Sequence, residues 1–225
     1  MNNLLSHLTD RLSSGNGKIA RTGCLLTGIC WMVYGAVAIA GPSGPDADTE
    51  LHRSPVAGSP IPAISAHTVF RAPADSVFRV ISDYAHFPDF IPMVAESRVV
   101  DGDARTMTVY QRLDLPFPAL DRHYVIDIIN NLHAAPTGII DVAWSLDTLR
   151  TQALPSSRAV APVAFSGSWH LVPVDRNAGC DAIYTIHVDP GGALPDWLFV
   201  RLTERYVMQV IGAVRKRLAT GGQYP

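Results

Sequence analysis

The side chains best able to do chemistry in this sequence are its histidines, its tyrosines and Cys180, and their spacing matches no catalytic pattern. The sequence contains no Gly-x-Ser-x-Gly, no His-Glu-x-x-His, no phosphate-binding glycine loop and no dinucleotide-binding motif. His170 and His187 lie on neighbouring predicted strands, but two histidines without a third ligand at suitable spacing do not indicate a metal site. We therefore predict no catalytic residue, no metal and no cofactor.

Apolar residues alternate with polar ones in three segments of the second half of the chain, which predicts strands with one apolar face. Between Ile140 and Leu146, for example, large apolar residues occupy every second position. The alternation alone favours a solid core, and the other interpretation is a ligand-binding chamber with apolar walls and a few polar groups. The candidate ligand-binding residues on the strands are Trp144, Leu146, Trp169, Leu171, Tyr184 and Ile186.

A long amphipathic helix is predicted from Pro195 to Leu218. Proline at the first helical position loses no hydrogen bond that the helix needs, and Gly191 and Gly192 allow the chain to bend just before it. We predict that this helix is a lid hinged at Gly191, Gly192 and Pro195. The irregular loop 149–163 is the predicted other side of the gate, with a simple crossover as the alternative. The helical residues predicted to contact a ligand are Leu198, Leu202, Val207 and Ile211.

The rest of the chain predicts an α+β fold. A curved antiparallel sheet of about seven strands would wrap around the long C-terminal helix, and each would bury one face. Two short helices follow the first strand, because residues 73–81 carry a helical apolar pattern and prolines bound residues 86–92. The predicted strands are 64–71, 93–100, 106–115, 122–130, 138–147, 165–174 and 182–189.

The order of three segments resembles the closing third of a START domain, the StAR-related lipid-transfer family. These segments are Gly167-Ser168-Trp169-His170-Leu171-Val172-Pro173, the strand 182–189, and Asp189-Pro190-Gly191-Gly192-Ala193-Leu194-Pro195-Asp196-Trp197-Leu198. More loosely, residues 70–92 are similar to the family's first strand and helices. Asp121-Arg122-His123-Tyr124-Val125 is similar to one of its central strands, with His123 in place of an aspartate.

This resemblance covers residues 64–220 and implies a helix-grip fold with a pocket for one lipid or other apolar ligand beneath the C-terminal helix. It also implies that Arg122 reaches a ligand head group. Pairing of Arg122 with Asp121 or Asp141 is the alternative. Ile128 stands where sterol-binding members have a second arginine, so we do not expect a sterol-type polar anchor.

Residues 1–40 have the pattern of an export leader. The nineteen residues from Thr22 to Ala40 carry no charge and follow three basic residues, and Ala38 and Ala40 precede a possible cleavage site. We predict a signal peptide or else an uncleaved membrane anchor. The predicted divisions are the leader 1–40 with its tether 22–40, a Pro/Gly-rich linker 41–62, a START-like ligand-binding domain 63–220, and a disordered tail 221–225.

Charge narrows the choice of partners. Without the three basic residues and one acidic residue of the leader, 15 basic and 19 acidic residues remain, so the exported part has a net negative charge. We therefore do not expect nucleic acid as a partner, and any transient membrane contact would depend on apolar loops. Our primary hypothesis is an exported, non-enzymatic lipid-binding or lipid-transfer protein in the periplasm or another extracytoplasmic space. One alternative is a cyclase/dehydratase-like enzyme similar to polyketide cyclases. Another is an envelope module that binds a protein and has no cavity.

Overall fold

Eight strands form one open antiparallel sheet in the computed structural model, which describes residues 49–115, 120–133, 137–155, 159–191 and 195–221. The strands are β1 (Glu50–Ser54), β2 (Ala63–Phe70), β3 (Val94–Gly102), β4 (Thr106–Leu113), β5 (Arg122–Leu132), β6 (Ile140–Leu146), β7 (Ala164–Val174) and β8 (Gly179–Asp189). Their order across the sheet is β1-β2-β8-β7-β6-β5-β4-β3. The predicted α+β class and antiparallel sheet are confirmed. The predicted leader, Gly192 and residues 222–225 of the predicted tail lie outside the described residues.

The prediction that residues 41–62 are a linker is wrong for Glu50–Ser54, which form strand β1. This strand was not among the seven predicted ones and brings the sheet to eight. It pairs with β2 along its whole length, with Glu50 opposite His67. All of its residues are exposed, so no apolar alternation marks it in the sequence. An edge strand needs only its backbone ladder, and here Arg53 adds a hydrogen bond from its Nε to Glu204 Oε1 at 2.6 Å.

Three short helices and one long helix complete the fold: α1 (Ala74–Ile81), α2 (Phe87–Phe90), α3 (Thr148–Gln152) and α4 (Asp196–Ala219). Pro73 precedes α1, and the helix buries Val77, Val80 and Ile81. The short α3 lies in the loop that we predicted to be irregular, and its N-cap Asp147 accepts a hydrogen bond from a backbone N–H. Within the described part of the chain, no helix has the length and apolar character needed to cross a membrane.

The core lies between one face of the sheet and helices α1 and α4. The alternation predicted for β6 to β8 is present, since Val142, Leu171 and Ile186 are buried while Ala143 and Ile183 on the opposite face are exposed. Helix α4 packs on β2 and α1, and therefore covers the apolar face of the sheet. This arrangement leaves an enclosed space between α4 and strands β4 to β8.

Candidate functional site

A cavity of about 60 Å³ lies between the sheet and α4. Helix α4 contributes Tyr206, Val210 and Val214 to its wall. Pockets for drug-sized ligands commonly have volumes of about 300–1,000 Å³, so a larger ligand would require the surrounding elements to move. The other aliphatic lining residues are Ile81, Ile91, Val94, Ile126 and Ile128.

A chain of hydrogen bonds leads from the cavity into β3. The Tyr124 hydroxyl donates to Gln111 Oε1 at 3.0 Å, and Gln111 Nε2 donates to Ser97 Oγ at 3.2 Å. Gln111 and Tyr124 are opposite each other on β4 and β5, and both line the cavity. This chain fixes the orientation of the Gln111 amide and commits the Tyr124 proton to a protein acceptor.

Four phenols line the cavity, and all four are held in the neutral form. Burial raises the pKa of Tyr84 and of Tyr206. Burial also raises the pKa of Tyr124 and of Tyr184 well above the usual value, and the neighbouring Tyr206 raises both further. These side chains can therefore donate hydrogen bonds over the whole physiological pH range, and none is prepared to accept a proton as a base.

An aromatic wall forms the sheet side of the cavity. Trp169 and Tyr184, which are opposite each other on β7 and β8, stack with ring centroids 4.4 Å apart. The Trp144 indole lies 6.0 Å from the Tyr184 ring, and its cross-strand neighbour is Gly167. A Cβ atom at Gly167 would collide with the indole, so the glycine provides the space in which Trp144 lies.

The structure brings together three of the six strand residues predicted to contact a ligand. Trp144, Trp169 and Tyr184 line the cavity. Leu171 and Ile186 are buried in the core on the same face of the sheet, and neither is among the described lining residues. Leu146 is half-buried and packs against the core.

The four predicted ligand contacts on α4 lie elsewhere than the cavity wall. Val207 and Ile211 are fully buried in the core, and Leu198 is half-buried. Leu202 is 47% exposed, which corrects its assignment to the ligand side. The helix has apolar residues in several rows, and the row at positions 206, 210 and 214 faces the cavity. The four-residue spacing of Tyr206, Val210 and Val214 places them on one face of a helix, and this spacing is the feature of the sequence that could have identified them as lining residues.

Arg122 donates hydrogen bonds to backbone carbonyl oxygens and pairs with no carboxylate of the described residues, so the predicted alternative of pairing with Asp121 or Asp141 is wrong. Its Nε donates to Pro190 O at 3.2 Å, and its Nη1 donates to Leu120 O at 2.7 Å. The carboxylate of Asp121 accepts a hydrogen bond from Arg112 at 3.0 Å. Burial lowers the pKa of Arg122. Arg122 therefore connects the start of β5 to the chain just after β8, beside the predicted hinge.

The predicted hinge is only partly within the described residues. Gly191 has φ +65°, a left-handed conformation that favours glycine. Pro195 is the N-cap of α4, so the helix starts one residue later than predicted. The backbone N–H of Val163, in the loop before β7, donates to Asp189 O at 2.8 Å.

None of the described histidines lines the cavity. His170 Nδ1 and His133 Nε2 approach the two carboxylate oxygens of Asp141 at 2.5 and 3.1 Å. His187 is buried, and its Nε2 lies 3.1 Å from Ser59 Oγ. Burial raises the pKa of the Cys180 thiol to about 12, so it is inert at neutral pH. The described residues contain no cluster of side chains suited to a metal ion.

Comparisons with known proteins agree with this geometry. A family model described as polyketide cyclase / dehydrase and lipid transport matches residues 70–215, well over half of the chain. The structure of a STAR-related lipid transfer protein from Xanthomonas axonopodis (fragment 25–204) is 26% identical with a TM-score of 0.67, and the match covers 77% of this chain and 94% of that one.

Two further structures show similarity of fold. Human StAR-related lipid transfer protein 5 has a TM-score of 0.69 at 10% identity, over 79% of this chain and 85% of that one. An aromatase/cyclase from Streptomyces has a TM-score of 0.50 at 18% identity, over 72% of this chain and 98% of that one. The matched family model, the helix-covered sheet and the hydrophobic pocket lead to one conclusion: the chain belongs to the polyketide cyclase, dehydrase and lipid transport family and is a START-like member of it.

Proposed function

We propose that this protein is a non-enzymatic carrier that holds one lipid or other apolar small molecule in the cavity beneath α4. The observation that carries the proposal is the cavity lining, which is aliphatic and aromatic and includes no charged side chain of the described residues. Each methylene group removed from water contributes about 0.8 kcal/mol. Such a cavity therefore offsets the cost of removing an apolar molecule from a membrane.

A cyclase-like enzyme is the second candidate, because Gln111 and four tyrosines converge on the cavity. An enzyme that moves protons needs a group whose pKa lies near the working pH. Burial moves the pKa of these phenols away from neutrality, and no acidic or histidine side chain of the described residues lines the cavity. The polar groups therefore fit ligand recognition better than proton transfer.

The gate of this carrier would lie at the start of α4. Arg122 bonds to Pro190 O, and Val163 bonds to Asp189 O, so two loops are joined to the chain just before the hinge. These contacts hold in place the segment from which α4 would pivot, so their loss should ease opening. We assign the hinge to the residues between β8 and α4, and loop 149–163 to the opposite side of the opening.

The gate can be tested by removing the Arg122 hydrogen bonds. Arg122→Met keeps an unbranched apolar side chain but loses every donor. We therefore expect release of a neutral probe, a fluorescent fatty acid methyl ester, to become about three- to tenfold faster, as for the loss of one or two net hydrogen bonds. The matched control is Arg98→Met, because Arg98 is exposed and stacks on Tyr110 at the β3 edge. An Arg122→Met release rate equal to that of the control would contradict this gate.

Exposed apolar residues at the gate end suggest how the carrier contacts a membrane. Leu120, Val160 and Val163 are exposed, and Trp197 in the first turn of α4 is 67% exposed. The backbone of Val160 pairs with the start of β5 and that of Val163 bonds to the end of β8, so Leu120, Val160 and Val163 lie at the same end of the sheet. Tryptophan favours the membrane interface. These residues therefore support transient contact with a membrane. The predicted leader supports a location in the periplasm or another extracytoplasmic space, where residues 22–40 would tether the protein if they are not cleaved.

Native mass spectrometry with organic extraction tests the carrier directly. We expect the protein purified from a membrane-containing bacterial lysate to retain one apolar molecule per chain. Val210→Phe, which fills the cavity, should reduce this retention, whereas Ile183→Phe on the opposite, exposed face of β8 should not. An unaltered mass after incubation with mixed lipids would favour the protein-binding alternative, and recovery of a chemically changed molecule would favour the enzyme.

A further inference from the structure

The polar atoms inside the cavity are not all used by the protein. The Tyr124 proton is committed to Gln111. By contrast, the Tyr184 and Tyr206 hydroxyls form no hydrogen bond with a described residue, and the buried Trp144 Nε1 has no hydrogen-bond partner. A fully buried donor without an acceptor, such as the Trp144 N–H, is uncommon in folded proteins and requires an explanation.

The side chains that carry these donors line the same cavity. Tyr206 comes from α4, Tyr184 from β8 and Trp144 from β6, and all three line the same space. The Trp144 ring is 6.0 Å from the Tyr184 ring. Tyr206 lies close enough to Tyr184 to raise its pKa, so both hydroxyls keep their protons. The three groups can therefore act together as donors.

The donors are neutral, and that limits the ligand. An anionic head group buried here would have no countercharge, because the described lining residues include no arginine, lysine or histidine. A pure hydrocarbon would leave the donors without acceptors. The remaining class is a neutral molecule with an acceptor oxygen, such as a carbonyl, on an apolar body.

We propose that the ligand is a neutral apolar molecule whose acceptor oxygen receives hydrogen bonds from Tyr206 and Tyr184, with the Trp144 indole N–H as an additional donor. This inference rests on the proposed carrier function and specifies the chemical class of ligand that the carrier would hold. Tyr124 and Gln111 hold the neighbouring wall in place through their hydrogen bond.

Three small probes of equal size test the proposal. Acetophenone carries a carbonyl, α-methylstyrene replaces its oxygen by CH₂, and benzoate carries a negative charge. One-ring molecules are the smallest probes of this chemistry. Because benzene binds in engineered cavities of about 150 Å³ and this cavity has about 60 Å³, their binding also requires the surrounding elements to move. Affinities are measured by calorimetric titration of the purified protein and of its Tyr206→Phe, Tyr184→Phe and doubly substituted variants. Neither hydroxyl bonds to a described residue, so we expect these variants to fold.

The decisive quantity is the ratio of the acetophenone Kd to the α-methylstyrene Kd. The two probes differ in hydration free energy, but this difference is the same for every variant and therefore cancels when the ratios of two variants are compared. We expect this ratio to rise about three- to tenfold in Tyr206→Phe or Tyr184→Phe, as for the loss of one neutral hydrogen bond. Tyr110→Phe is the control, since Tyr110 packs against Arg98 away from the cavity. Benzoate should bind at least tenfold more weakly than acetophenone.

The outcomes separate this inference from the carrier proposal. If α-methylstyrene binds and the ratio stays within twofold of wild type in all three variants, the carrier proposal stands and the polar subsite is wrong. Benzoate binding more tightly than acetophenone would overturn the requirement for a neutral ligand. If no probe binds, both the cavity's carrier role and the subsite are overturned.

Discussion

Gly167 allows a direct test of the cavity wall, because its place on β7 decides where the Trp144 indole lies. In Gly167→Ala the new methyl group would collide with the indole and would lie 2.5 Å from the backbone oxygen of Thr185. Overpacking of this kind typically costs about 1–3 kcal/mol, and the lower entropy of the unfolded alanine chain returns about 0.4–1 kcal/mol. Because Thr185 O is a backbone atom that cannot rotate away, we take the upper part of the overpacking range and expect a net loss of about 1–2.5 kcal/mol, which lowers Tm by roughly 2–10 °C for a protein of this size.

Thermal unfolding followed by circular dichroism measures this loss, and Gly212→Ala is the matched control. No atom lies within 4 Å of a Cβ at Gly212 in α4, so alanine there should raise Tm slightly through its higher helix propensity. Adding Trp144→Phe to Gly167→Ala should recover part of the loss, since the smaller ring vacates the contested space. A Gly167→Ala protein as stable as wild type would refute the packing of Trp144 against Gly167.

Three further predictions concern pH, thiol reactivity and membrane contact. Burial raises the pKa of Asp141, but hydrogen bonds from its two histidine neighbours outweigh this and lower it, so its contribution to stability is present above about pH 4 and is lost as pH falls through the lowered pKa. Asp141→Asn should therefore lower Tm at pH 7 and match wild type near pH 2; an equal Tm difference at both pH values would contradict this. The buried Cys180 thiol, in a chain with Cys24 and Cys30 replaced by serine, should react with a disulfide reagent at pH 8 only after unfolding in urea, and rapid reaction of the native protein would show that it is accessible. Trp197→Ala should slow ligand transfer between vesicles more than Leu132→Ala does, because Leu132 is also a large exposed apolar residue but lies at the far end of β5 from the gate; equal effects would exclude docking at the gate end.

The sequence predicts those elements whose environment leaves a local pattern. Strands β5 to β8 bury one face, so their side chains alternate, and the predicted ranges agree with the observed ones to within a few residues. Strand β1 has no buried face, and its charged residues have the composition of a linker. Its existence depends on the exposed edge of β2, which is a tertiary feature that no window of residues contains.

The cavity-facing side of α4 also depends on tertiary structure that the sequence pattern does not contain. Leu198 and Leu202 are as apolar as Val210 and Val214, and only the orientation of the helix over the sheet decides which of them are covered. Arg122 is a similar case, because its acceptor Pro190 O is a backbone atom 68 residues away in the chain. Residue type reveals a donor, but it does not reveal a carbonyl that the fold brings to it.

The small volume of the cavity follows from the energetics of an empty pocket. An unfilled cavity costs roughly 24 cal/mol per Å³, so 60 Å³ costs about 1.4 kcal/mol, whereas 300 Å³ would cost about 7 kcal/mol. The larger value is comparable to the entire stability of a typical domain. Cys180 is the only cysteine after residue 30, so no disulfide within the ligand-binding domain could offset that cost. We therefore expect the proposed carrier to close around a small cavity when it holds no ligand, and we expect the ligand's own contacts to stabilise the open volume.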